Sequence, residues 1–263
     1  MISRNFLPNY TAGLTFFIAV AATNLFHQGN WQRVFAAKNN EVLKKSLLFS
    51  FIIIPIVFFM GFSGLIAVSI NDRVNPDLAF FSILLNEDAV FLSVLVVIMA
   101  LSLTISTLDT LVNAISSLVI VEGKKLFINH SNESLLKLSN LFLVILSIIA
   151  FFIASKGYSI LYLFLLADLF CCAAVFTVFN GLYSRNVKEK NSFISVLLGL
   201  VLGLLFFPSP DFSQSILVGF ILTSELFPQI ISNYLLFWSF LLATLVPAVV
   251  IIGYDSFKRR YPN

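Results

Sequence analysis

Apolar residues run along this chain in stretches of about 20, parted by short polar loops. They do not alternate with polar residues, so they predict helices rather than strands. The runs fall at 11–37, 46–70, 90–121, 136–155, 158–183, 192–207 and 233–254. The first is interrupted by the polar stretch from Asn24 to Asn30, where Gly29 and the amides favour a break. Pro55 lies inside the second, and Pro208 and Pro210 end the sixth. Two shorter apolar segments, at 77–85 and about 213–232, predict helices lying at the membrane surface.

Composition places these helices in lipid. Apolar residues make up 59% of the chain and charged residues 11%, against about 25% charged in an ordinary soluble domain. Too few charges remain to cover a water-facing surface of this size. The expected class is an all-α membrane protein with about seven transmembrane helices. The net charge of +3 gives no reason to expect nucleic acid as a partner; the expected partners are membrane lipid and a small polar solute. Cys171 and Cys172 are adjacent and lie in an apolar run, which suits small buried side chains better than a disulfide or metal pair. No phosphate-binding glycine loop, metal-ligand cluster or nucleophile–base pattern stands out, so an enzyme is not expected and no cofactor is implied.

The placement of charge sets an expected orientation. With seven spans, Arg4, Arg73 and Lys156 fall on one side, and the remaining Lys and Arg of the 16 fall on the other. The basic side is cytoplasmic by the positive-inside rule. The C-terminus is therefore expected inside and residues 1–10 outside, in a plasma or cytoplasmic membrane. A cysteine at Asn75 should react with an impermeant thiol reagent from outside, and one at Asn186 only from the cytoplasmic face. Labelling of both from one side would contradict seven spans. No cleavable signal precedes the first run, and an outside N-terminus is natural if further spans precede Met1.

The third span carries the densest chemistry. Ser102, Ser106, Asp109, Asn113 and Ser116 recur at three- and four-residue spacing, which puts them on one helix face at membrane depth. Hydroxyl, amide and carboxylate oxygens are what replaces the hydration shell of a small hard cation. The competing reading is that each hydroxyl bonds back to its own helix and eases packing. Asp109 and Asp168 are carboxylates inside spans that hold no basic residue, which points to an ion, proton or solute path, or to a neutral structural aspartate. In the interrupted first span, Asn24, His27 and Gln28 offer hydrogen bonds, and Phe26 offers an apolar wall. Broken helices at membrane depth commonly line a solute site; the alternative is the plain cytoplasmic end of a span.

Two stretches resemble the sodium:solute symporter family. Gln32-Arg-Val-Phe-Ala-Ala-Lys38, after the broken helix that opens with Asn24-Leu-Phe, is similar to a run at the end of that family's sixth core helix. Ile105-Ser-Thr-Leu-Asp-Thr-Leu-Val-Asn-Ala-Ile-Ser-Ser117 is similar to its eighth. The Trp31-Gln32 pair is nearest to urea-transporter-like members. The resemblance implies the second inverted repeat of a LeuT-type fold over 11–183. Two peripheral helices and a basic tail would follow over 184–263. It implies sodium as the coupling ion, held by the hydroxyls of Ser106 and Thr107 and the carbonyl of Leu103. Asp109 would stand at an additional ion or proton site, where some members place a hydroxyl, and Asn24, Phe26, His27 and Gln28 at the solute pocket. Asp168 is a further candidate functional carboxylate. The first repeat would be absent from the chain, so the resemblance implies one half of a transporter of urea, an amino acid or a similar solute. The rival expectation is a non-transporting membrane component, or a solute-sensing remnant that binds a partner.

Overall fold

A computed structural model describes residues 7–70, 79–84, 90–126, 131–184, 188–215 and 234–260. Among them are nine helices and no strand. They are α1 (Leu7–Phe26), α2 (Gln28–Ala36), α3 (Asn40–Ile70), α4 (Ala79–Leu84), α5 (Val90–Leu126), α6 (Asn132–Ala154), α7 (Ile160–Tyr183), α8 (Glu189–Phe206) and α9 (Leu235–Arg260). Six of these, α3 and α5 to α9, are long and apolar enough to cross a membrane. The chain is an all-helical, multi-pass membrane protein.

The expected first span divides at His27, within the polar interruption. Its apolar part, α1, is diluted by Pro8, Asn9, Tyr10 and Asn24 and is not among the six. Pro55 sits inside α3, as the sequence places it, and Pro247 inside α9. At 37 residues α5 is about 55 Å long, nearly twice the hydrocarbon thickness. Its last turn carries Glu122, Lys124 and Lys125, residues that belong in water. The short helix expected at 77–85 is α4. Of the surface helix expected at 213–232, residues 213–215 form a loop and 216–233 lie outside the described residues.

The helices form two compact units, one of residues 1–27 with 158–263 and one of 28–157. The first packs α1, α7, α8 and α9 around Ala19, Ala22, Leu165, Leu169, Cys172, Ala173, Phe240 and Ala243. Lipid supplies no hydrophobic drive between helices, so close backbone approach and interhelical hydrogen bonds carry the packing. The sequence supplies both. Gly199 and Gly203 of α8 lie one turn apart and face Ser239, Ala243 and Pro247 of α9. Ser239 Oγ donates to the Gly203 carbonyl at 2.7 Å. The buried hydroxyls of Thr177 on α7 and Ser195 on α8 pair at 3.1 Å. After α8, Ser209, Phe212 and Ser213 form a tight loop in which Phe212 has φ 58°. There the Ser209 and Ser213 hydroxyls and the Ser213 amide donate to Asp211 and hold its carboxyl down at about 2.

The second unit is more open. α5 and α6 pack as a pair in which Leu135 is fully buried against Gly123. α4 rests on α3, where Ala79 meets Gly64. Most large apolar side chains of α3, α5 and α6 are exposed, as lipid-facing helices require. Ser131 caps α6 by accepting from the Ser134 amide. Gly157, at φ 68°, ends the turn after α6 in a conformation that side-chain-bearing residues rarely adopt.

Candidate functional site

The expected ion ligands lie on α5, in the second unit. Thr107 Oγ1 donates to the Leu103 carbonyl at 2.9 Å, so two of the three oxygens expected around sodium stand side by side. This adjacency follows from helix geometry, since position i+4 brings a hydroxyl over the carbonyl one turn back. Ser102, Thr104 and Thr110 do the same to Ile98, Ala100 and Ser106. These hydroxyls are bonded within their own helix, as the packing alternative requires. The donating hydrogen still leaves each threonine and serine oxygen a free lone pair for a further ligand.

Ser102, Ser106, Asp109 and Asn113 are exposed on α5. Asp109 lies near the middle of the helix, with no basic residue nearer along it than Lys124. The ion pairs among the described residues are Glu41–Lys45, Glu122–Lys125 and Glu133–Lys137, each within one helix and exposed. None involves Asp109. Ser117, nearer the basic end of α5, is different. It is half-buried, donates to the Ala114 carbonyl and accepts from Gln32 Nε2 of α2 at 2.8 Å. A hydrogen bond across 85 residues leaves no trace in spacing.

Asn24, Phe26 and His27 close the chain segment of the first unit, and Gln28 opens the second. The break is short. The His27 amide reaches the Asn24 carbonyl at 3.4 Å, a last tightened turn of α1, and α2 starts at the next residue. Asn24 Nδ2 donates to the Val20 carbonyl at 2.9 Å. Phe26 and His27 are half-buried and Gln28 is exposed. His27 Nδ1 is buried with no hydrogen-bond partner among the described residues.

Asp168, on α7, is 7% exposed. It accepts a hydrogen bond from Thr23 Oγ1 of α1 at 2.5 Å. The two adjacent cysteines are free, and Cys172 is buried with its Sγ 3.7 Å from the Ile18 carbonyl. They are small side chains at the α1–α7 contact, as expected from their position in an apolar run. The structure therefore groups Leu103 with Thr107 on α5 and Asp168 with Thr23 in the first unit. Thr23 was not among the sequence candidates, although it immediately precedes the polar run that was.

No protein-family model matches the chain. No solved structure matches it. The chain is similar to the spermidine transporter DUR31 of Candida albicans, with 30% identity over 197 residues. The matched stretch covers 70% of this chain and 36% of that protein, so the chain spans little more than a third of its relative's length. The likeness is thus to a membrane transporter, in keeping with the six apolar helices.

Proposed function

We propose that the chain forms part of a secondary transporter that moves a small polar organic solute across a membrane with sodium. The observation that carries this reading is the oxygen-bearing face of α5. An exposed carboxylate, two serines and an amide share one face in the middle of a largely apolar helix. Polar groups at that depth serve a path for ion or solute, because hydrocarbon leaves them unsatisfied. Leu103, Ser106 and Thr107 hold the sodium ion in this reading, and Asn24, Phe26, His27 and Gln28 contribute to the solute site. The Gln32–Ser117 bond joins α2, which begins at the helix break, to α5. Ion and solute then favour the same arrangement of these helices, which is what coupling requires.

The relative is named for spermidine, a polyamine. A carboxylate with no basic partner among the described residues, such as Asp109, suits a cationic solute as well as an ion. Polyamines therefore join urea and amino acids as the solutes to test. The helices that complete the ion site lie, in this reading, in the segment that makes the relative so much longer.

The experiment is uptake of labelled spermidine and of urea by proteoliposomes holding the chain together with that completing segment. Uptake of one solute that rises several-fold under an inward sodium gradient, over equal sodium on both sides, is the expected result. Uptake indifferent to the gradient would remove sodium coupling. The chain by itself is expected to give no gradient-driven uptake.

A further inference from the structure

A cavity of about 210 Å³ opens in the first unit, where the start of α1, the loop after α8 and the start of α9 meet. This is the end of the unit away from Lys258, Arg259 and Arg260, which close α9. Its walls include Ala12 and Thr15 of α1, Pro208 and Phe212 of the loop, and Leu236 and Phe237 of α9. None of these belongs to the α5 stripe or to the helix break. The loop holds one wall in place. Phe212 has φ 58°, a left-handed conformation uncommon for a bulky residue. Its amide donates to the Ser209 carbonyl at 2.8 Å, and the Ser209 amide donates to the Gln214 carbonyl at 2.6 Å. The Phe212 ring is backed edge-on by Tyr162, with 5.9 Å between centroids, and Tyr162 by Phe207 at 5.6 Å. The wall is therefore set by the fold and does not close inward over the cavity.

The lining offers water little. Thr11 Oγ1 donates to the Pro8 carbonyl at 3.0 Å and Thr15 Oγ1 to the Thr11 carbonyl at 2.7 Å, so both hydroxyl hydrogens are spent within α1. Pro8 and Pro208, also in the lining, carry no N–H. The third lining hydroxyl is the phenol of Tyr234, a side chain suited to the lipid–water boundary. A cavity of about 150 Å³ with apolar walls stays dry and takes an apolar guest the size of benzene, and this one is larger. A cation is not favoured here, because α1 and α9 both turn their positively polarised N-terminal ends to this side. Ala12 lines the cavity and is also exposed, with Phe16 exposed one turn further along, so the cavity reaches the apolar outer face of α1. In a membrane protein that face meets lipid tails. We propose that this cavity holds the end of one acyl chain of a membrane phospholipid, which enters past Ala12. A tail needs neither a donor nor a countercharge, and the walls supply neither. The site lies on other helices than the α5 stripe and stands whether or not that stripe binds sodium.

The test uses the full chain with Trp31→Phe, which leaves Trp238 as its one tryptophan, and no transport assay. The Trp238 ring lies 5.8 Å from that of Phe237, a wall of the cavity, so its fluorescence reports on a guest there. The protein in mild detergent is titrated with phosphatidylcholine brominated at the end of one tail, and separately with stearic acid brominated at the same carbons. The phospholipid is expected to quench Trp238 in a saturable phase, above the linear quenching by probe dissolved in the micelle. Ala12→Phe places a ring at the cavity mouth and is expected to weaken that phase about ten-fold or more. Gly13→Phe adds the same bulk where a Cβ meets nothing within 4 Å, and it should leave the phase unchanged. If Ala12→Phe does not fold, Ala12→Leu decides by the same measure. A saturable phase with stearic acid alone would overturn the phospholipid as occupant and leave a free fatty acid in its place. No saturable phase with either probe, or one that Ala12→Phe and Gly13→Phe affect equally, would overturn the site itself.

Discussion

Gly199→Leu is expected to separate α8 from α9 and to unfold the first unit at lower denaturant than the parent chain. A Cβ alone at this position would lie 2.5 and 2.7 Å from Cγ and Cδ of Pro247 and 2.9 Å from the Ala243 carbonyl. The proline ring is fixed to its own backbone and cannot swing aside, so the helices must move apart. Overpacking a close contact costs on the order of 3 kcal/mol, and separation also strains the Ser239–Gly203 hydrogen bond. Even Gly199→Ala should destabilise, by about 1–3 kcal/mol. The double variant Gly199→Ala with Pro247→Ala should recover most of that loss, because the ring atoms that the new methyl meets are gone. Unfolding in mixed detergent, followed by tryptophan fluorescence, reads these three and the single change Pro247→Ala. Strict additivity of the two single changes would show that Gly199 and Pro247 do not touch, and the packing of α8 on α9 would have to be redrawn.

The sequence makes some of this visible and hides the rest, for physical reasons. The spans are visible because a helix in lipid must be apolar over most of its surface, and α3 and α5 to α8 fall where the apolar runs fall. The break at His27 is visible because glycine and amides at membrane depth oppose a continuous helix. Asp168 draws notice because a carboxylate among Leu165, Leu169 and Cys172 has no ordinary reason to be there. What stays hidden is partnership. Thr23 and Asp168 are 145 residues apart, and Gln32 and Ser117 are 85 apart. A threonine bonded across helices has the same sequence signature as Thr104, which bonds to its own helix. The notch formed by Gly199 and Gly203 is hidden too. Small residues one turn apart are common in membrane helices, and only the partner helix shows that Pro247 fills one of them. α1 illustrates the limit of hydropathy, since a helix packed on α7 and α9 can carry polar ends that lipid would not accept.

Thr107→Ala is expected to raise the sodium concentration for half-maximal uptake about ten-fold or more, in the proteoliposome assay proposed above. The hydroxyl and the Leu103 carbonyl stand 2.9 Å apart and already point their oxygens into one locality. A sodium ion placed there draws on both, and removing one leaves a position that hydrocarbon cannot fill. A contact between a neutral oxygen and a charge is worth about 1.5–3 kcal/mol, which corresponds to that ten-fold shift or more. Loss of the intrahelical bond alone should cost little, because the Leu103 carbonyl keeps its place in the helix, so insertion and folding should be unaffected. Thr104→Ala is the matched control. It deletes the same kind of bond, to Ala100, from a position outside the expected ligand set. Ser117→Ala is not neutral in this comparison, since it removes the acceptor of Gln32, and it should lower the maximal rate more than it shifts the sodium dependence. Asp109→Asn separates charge from shape. If Asp109 carries charge in coupling, the sodium curve should change its steepness as well as its midpoint. Equal sodium dependence in Thr107→Ala and Thr104→Ala would mean that the hydroxyls of α5 serve the helix alone, and the ion would have to be sought elsewhere.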